Sequence, residues 1–350
     1  MKKPLLTILQ YLFFLGLGIV FVWLSVRKID AQQWQQIKAS LQQARMVLII
    51  PVIGMLLLSH FSRAIRWKIL MEPMGYKPST FNTFAAVMIG YLVNAGVPRL
   101  GEVVKCTLLS RYEKVRADRL VGTIVMERAV DVVCLALVFL MALFFQGHVI
   151  GDFVASLFGN FFKTASGQTS VSKIVAYAGG LFVFVVTAYI LLKRFGHVDA
   201  VGKIKNILGG ILHGLQSIRF IKNKGWFLFH TVFIWTMYLL STSMGIYALQ
   251  ETAHLGIGGG LTTLAVGSVG MIITPGGIGA YPLLVSQLIE VYGLNKDTIG
   301  NALGWLLWTA QTLIILLGGL VLIALFSYVN KNKKPSESRA RLKDEDIAAI

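Results

Sequence analysis

Acidic side chains are scarce in this chain: 16 Asp and Glu stand against 33 Lys and Arg in 350 residues, and all charged residues together make up 14%. Cysteine is limited to Cys106 and Cys134, whose separation matches no metal or redox spacing and says nothing about compartment. There is no Walker A loop, no His/Glu zinc pattern and no nucleophile elbow. No long hydrophilic loop is present to hold a nucleotide sugar. These absences argue against an ATPase and against most enzymes, and no cofactor is expected. Any transport must therefore be passive, gradient-driven or powered by another chain.

What the chain has in abundance is apolar sequence. Hydrophobic residues make up 55% of it, and several runs exceed 18 residues, the signature of an all-α polytopic membrane protein. Full-length span candidates are 5–26, 46–66, 119–145, 174–193, 226–249 and 301–327. The N-terminal run is too long for a signal-peptide core and lacks a small-residue cleavage site, so it reads as a retained first span. Residues 1–329 form a single transmembrane domain on this reading, and 330–350 a basic, polar, disordered tail. The net charge of +17 sits in short loops and the tail, which suits an anionic lipid surface better than nucleic acid. Lys and Arg crowd into 99–119, 193–225 and the tail, so these segments and both termini are expected on the cytoplasmic side of the plasma (inner) membrane.

Two apolar segments are left over, 81–97 and 259–293. The second is broken at Thr274-Pro-Gly-Gly-Ile-Gly-Ala-Tyr-Pro282. Its arms, 259–273 and 283–293, would be about 22 and 17 Å long as helices, short of the roughly 30 Å hydrocarbon core. Both segments read as re-entrant hairpins entering from opposite faces, giving about six full spans plus two hairpins and a possible inverted repeat. Eight ordinary spans are the alternative.

Four motifs carry polar chemistry into this apolar setting. The first is Asn94-Ala-Gly-Val-Pro-Arg-Leu-Gly-Glu102, where Pro98 and the glycines would end a helix and free backbone N–H groups for an anion. Arg99 offers a planar fork for phosphate, Glu102 could orient it or carry a proton, and Lys105 could widen the positive surface. The bland alternative is a basic cytoplasmic loop. The second is Glu127-Arg128-Ala-Val-Asp131, about 12 Å into a span. Charges there must face the interior, as an Arg128–Asp131 clasp or as partners of Arg99 or Lys105. The third is the turn with Thr274, Gly276, Gly277 and Gly279, followed by Tyr281. It lets backbone approach a ligand closely, or is simply tight. The fourth, His60 to Lys68, carries Arg63, Arg66 and Trp67, an interface belt or a headgroup contact. Trp305, Trp308 and Gln311 read mainly as packing or interface anchors.

Arg63-x-x-Arg66-Trp67, Asn94-x-x-x-Pro98-Arg99-x-Gly101-Glu102 with Lys105, Glu127-Arg128-x-x-Asp131 and Thr274-Pro275-Gly276-Gly277-Ile278-Gly279 follow one another in that order. Together they resemble the flippase-like transmembrane domain of the lysylphosphatidylglycerol synthase family, in a stand-alone form without the aminoacyltransferase domain. The resemblance covers about residues 5–327 and implies lipid movement between leaflets rather than aminoacylation. Many members carry a Glu after the Pro-Gly-Gly turn, where this chain has Tyr281 and Pro282. That departure turns the expectation from a lysyl-lipid towards a phosphate-bearing lipid or polyprenyl-phosphate carrier. Two other classes stand beside it: a polyprenyl-phosphate glycosyltransferase or lipid-modifying enzyme using Glu102 or Asp131 as base, and a non-transporting scaffold for a synthase.

Overall fold

A computed structural model describes residues 16, 18–27, 29–97, 99–162 and 220–331. The expected span at 174–193, the start of the first span, Pro98 and the tail beyond Lys331 lie outside the described residues. Helices are the only extended regular structure among the described residues, with no strand. They are α1 (18–26), α2 (Ala31–Gln43), α3 (Ile49–Met71), α4 (Thr80–Gly96), α5 (Leu100–Glu113), α6 (Ala117–Phe162), α7 (Lys224–Ala248), α8 (Gly256–Ile273), α9 (Ala280–Val291) and α10 (Asn301–Val329). Among the described residues five stretches, Met46–Met74, Arg119–Leu157, Lys224–Ala248, Ala253–Ile273 and Lys296–Val329, are long and apolar enough to cross a membrane. Their outer faces carry exposed apolar side chains such as Leu140, Phe144, Leu228, Leu320 and Val321. Water would penalise such faces, whereas acyl chains solvate them.

Two helical hairpins lie inside this frame. In the first, α4 runs antiparallel to α5. The Asn82 amide donates to the Glu113 carboxylate at the base, and near the tip Asn94 Oδ1 accepts from the Gly101 N–H at 2.8 Å. In the tip half of the hairpin the two backbones touch, since a Cβ added at Gly90 would sit 2.9 Å from the Gly101 carbonyl oxygen. Small residues permit this approach, which in a membrane replaces the hydrophobic effect as the source of helix association. A Gly101→Val variant should therefore force α5 away from α4 and lower the unfolding temperature of the purified protein by several degrees. An unchanged melting curve would show that the hairpin yields freely.

In the second hairpin α8 and α9 are antiparallel: the Thr262 and Tyr292 hydroxyls meet at 2.9 Å at the base, and Gly270 abuts the Tyr281 backbone near the tip. The hairpins enter from opposite ends of the bundle. The base of the first shares its end with the close of α10, through Asn82 and Asn330. The base of the second shares the other end with α2 and the close of α7, where Arg45 N–H donates to Ala248 O and Ser40 to Glu251. The tips meet, with Ala95 against Gly276. Trp308, part-way along α10, fixes that level by donating its indole N–H to Gly276 O at 2.8 Å.

Several expectations change here. Residues 81–97 are not a hairpin by themselves but one arm, and α5 is the other. The turn falls at the tip, where Arg99 adopts a left-handed backbone (φ 67°). The mixed composition of 100–113 reads as a surface loop, yet Gly101, Lys105, Cys106 and Leu109 are buried against the bundle. The segment 27–45, between the first two expected spans, contains α2. It is started by an Asp30/Gln33 capping box and held by Ile37 against Ile246 and Leu303. Beyond residue 145 the chain does not enter a loop. α6 kinks at Gln146 and continues, because Val149, Ile150 and Phe153 pack on Leu261, Ala265 and Leu288. The first arm of the second hairpin starts earlier than the sequence suggests and, counted from Ala253, attains spanning length, whereas the 12-residue α9 does not.

Candidate functional site

Charge is concentrated where α3, α5 and α6 come together. Arg63 and Arg66 lie three apart on α3 and so share a face, turned towards α6. Glu127 and Asp131 lie four apart on α6 and face them. Arg63 donates to Glu127 Oε1 at 3.0 Å and to Asp131 Oδ2 at 2.5 Å, while Arg66 donates to Asp131 Oδ1 at 2.7 Å. From the first hairpin Lys105 donates to the second Glu127 oxygen at 2.9 Å, with its ammonium 4.5 Å from the centre of the Trp67 ring. Arg66, Lys105 and Glu127 are almost fully removed from solvent. Ions this dry survive only through pairing. An outer pair, Arg128 Nε to Glu102 Oε1 at 3.1 Å, is partly exposed and joins α6 to α5.

The pairing leaves an imbalance. Arg63, Arg66, Lys105 and Arg128 stand against Glu102, Glu127 and Asp131, so four cations minus three carboxylates give +1 with the histidines neutral.

That excess borders a cavity of about 440 Å³ enclosed by α3, α4, α6, α7, α8, α9 and α10. Arg63, Arg128 and Asp131 form its charged wall, and Tyr91, Tyr238 and Gln311 add polar groups. Tyr238 OH accepts from Arg63 Nη2 at 3.3 Å, and Gln311 Nε2 donates to Tyr281 OH at 3.3 Å. Several buried polar atoms here have no hydrogen-bond partner among the described residues: His60 Nδ1, Arg63 Nε and Trp235 Nε1 all belong to cavity-lining side chains. An unmet buried group costs about 1–3 kcal/mol, a cost borne in the packing around the cavity, since these atoms are themselves shielded from it. The remaining wall is apolar. Val132 on α6 and Ile272 on α8 line the cavity yet are 53% and 71% exposed, so it communicates sideways with the apolar outer surface.

The sequence-predicted residues divide clearly. Arg63, Arg128, Asp131 and Tyr281 line the cavity, and Arg66, Lys105, Glu127 and Glu102 form the ionic frame behind or beside it. Arg99 is not gathered in. It is exposed at the first tip and has no hydrogen-bond or ion-pair partner among the described residues. Asn94 and Thr274 serve their own turns, Thr274 by donating to Ile278 O at 3.0 Å. Gly276, Gly277 and Gly279 have φ of 60 to 71°, a region open chiefly to glycine, and seat the second tip against α4 and α1. The local clasp is replaced: Arg128 pairs with Glu102, and Asp131 with Arg63 and Arg66.

Sequence reasoning missed Tyr91, Trp235 and Tyr238. The overlooked signal is depth. Trp235 and Tyr238 lie roughly 17 and 21 Å along α7 from Lys224, far from the interface where Trp and Tyr normally concentrate.

Residues 8–319 match the family described as Lysylphosphatidylglycerol synthase TM region. The chain belongs to this family. The match takes in every helix except the last ten residues of α10, and the description ties the family to the membrane part of a lipid synthase. A curated relative, the UPF0104 membrane protein MJ1595 of Methanocaldococcus jannaschii, is 25% identical over 309 residues, covering 79% of this chain and 81% of its own. No solved structure matches.

Proposed function

We propose that this member of the lysylphosphatidylglycerol synthase TM region family is a lipid translocase that carries a phosphate-bearing headgroup between leaflets. The observation behind this reading is the cavity: a +1 ionic wall, polar side chains and a lateral apolar opening, with Tyr281 lining it beside the tip at which the two opposed hairpins meet. Arg63 and Arg128 offer guanidinium groups to phosphate, and Tyr238 and Gln311 bond to the rest of the headgroup. The tails stay in the bilayer outside the α6–α8 opening. Rocking of one hairpin against the other, with the tips as the barrier, exposes the headgroup to each side in turn. The termini face the cytoplasm, following the basic loops.

The test is a reconstituted scrambling assay with headgroup-retaining fluorescent phospholipids in vesicles, read by quenching of the outer leaflet. Wild-type protein should speed redistribution, and Arg128→Gln should reduce the rate at least tenfold at equal reconstitution. Transport unaffected by Arg128→Gln would remove the phosphate role of this wall, and none by wild type would remove the translocase reading.

A further inference from the structure

We infer that the headgroup this cavity accepts is a compact phosphodiester with a single negative charge and no cation of its own. The inference rests on the translocase reading and deepens it. Every charged group of the wall is accounted for within the frame. Glu127 is shared by Lys105 and Arg63, Asp131 by Arg63 and Arg66, and Glu102 by Arg128, leaving one positive charge uncancelled.

The dry part of the frame, Arg63, Arg66 and Lys105 against Glu127 and Asp131, carries the same excess by itself, and an uncompensated charge there is costly, so the favoured occupant cancels it and adds nothing. A phosphodiester carries one negative charge. A phosphomonoester, with a second pKa near 6, carries about −1.5 to −2 at neutral pH and leaves surplus negative charge in the cavity. An ammonium-bearing headgroup has the opposite fault: it brings a cation to a wall whose three carboxylates are already engaged. Polar but uncharged substituents suit the hydroxyl and amide groups of Tyr91, Tyr238 and Gln311.

Size narrows the class further. The 440 Å³ available is at the small end of the roughly 300–1,000 Å³ typical of ligand sites and excludes an oligosaccharide. The lateral opening at Val132 and Ile272 assigns the phosphate to a lipid rather than to a free solute, because only a tethered tail makes use of an apolar exit.

The experiment is native mass spectrometry of the full-length protein in detergent. Phosphatidylglycerol, phosphatidic acid and phosphatidylethanolamine with identical acyl chains compete for it, and the tail-free diester glycerophosphoglycerol is added in a parallel arm. Phosphatidylglycerol should be retained about tenfold over each of the other two lipids, and glycerophosphoglycerol should fail to displace it at equal concentration. Glu102→Gln, a partly exposed position that raises the excess to +2, should erase or invert the preference over phosphatidic acid. A melting curve checks that this variant folds, and the wild-type preference alone is decisive if it does not.

Equal retention of all three lipids overturns the charge match while leaving lipid binding intact. An unchanged preference in a folded Glu102→Gln protein overturns it as well. Displacement by glycerophosphoglycerol overturns the assignment to a lipid. Retention of no lipid removes the translocase reading together with the inference.

Discussion

Replacing Glu127 with alanine is expected to cost about 3–5 kcal/mol of stability, the usual consequence of removing one partner from a buried ion pair. Glu127 is 1% exposed and accepts from Lys105 at 2.9 Å and Arg63 at 3.0 Å, with Arg66 at 3.8 Å. Without it Lys105 keeps, among the described residues, only the face of Trp67. The loss arises less from missing attraction than from an ammonium left dry. Adding Lys105→Met should therefore recover about half of it, since a hydrophobic side chain of similar length removes the unmet charge. Thermal unfolding of the detergent-solubilised single and double variants decides. A fall of less than 2 °C for Glu127→Ala, about 1 kcal/mol or less on a domain of this size, would mean that water reaches the cluster and that pairing is not what holds it.

Arg63→Lys should separate charge from geometry. The variant keeps +1 at the position and so should keep the fold, but it replaces a planar fork by a point charge. Arg63 uses one nitrogen on both carboxylates and another on Tyr238, while its Nε has no partner among the described residues. A lysine cannot make these contacts together. Lipid movement should fall at least tenfold with the melting temperature lowered by only a few degrees. Arg99→Ala, by contrast, should leave transport within about twofold, because that guanidinium is exposed at the first tip and absent from the cavity wall. Reversed outcomes for these two variants would move the phosphate site to the hairpin turn.

Much of this arrangement was legible in the sequence, for physical reasons that also explain what was not. Pro and Gly in an apolar run announce a break, so the second tip was visible at Thr274–Pro282, and opposite entry followed from charge bias in the loops; Asn94–Glu102 was visible as a break, but as the cytoplasmic exit of a hairpin within 81–97 rather than as the tip it is. The depth of Glu127 and Asp131 forced them inward. Their partners were harder to read, because a sequence shows neighbours along one helix and not across three. Arg128 and Asp131 look like a pair at i,i+3, yet each finds a better partner on another helix, 26 residues away for Glu102 and about 65 for Arg66. Helix α5 was hidden for a related reason: Glu102, Lys105, Arg111 and Glu113 give it the composition of a surface loop, and only the Glu127–Lys105 bond shows why a lysine is tolerated inside. Arg99 drew attention because it lies beside Pro98. Proximity to a breaker marks a turn, not the direction of a side chain.

The meeting of the two tips has an electrical consequence. If water follows each hairpin inward from its own side, the potential between the two compartments drops mainly across the short contact of Ala95 and Gly276 rather than over the full hydrocarbon thickness. Moving one elementary charge through the whole potential is worth about 2.3 kcal/mol per 100 mV. A singly charged headgroup would meet nearly all of that within a few ångströms. Its direction of net movement would then answer to membrane voltage.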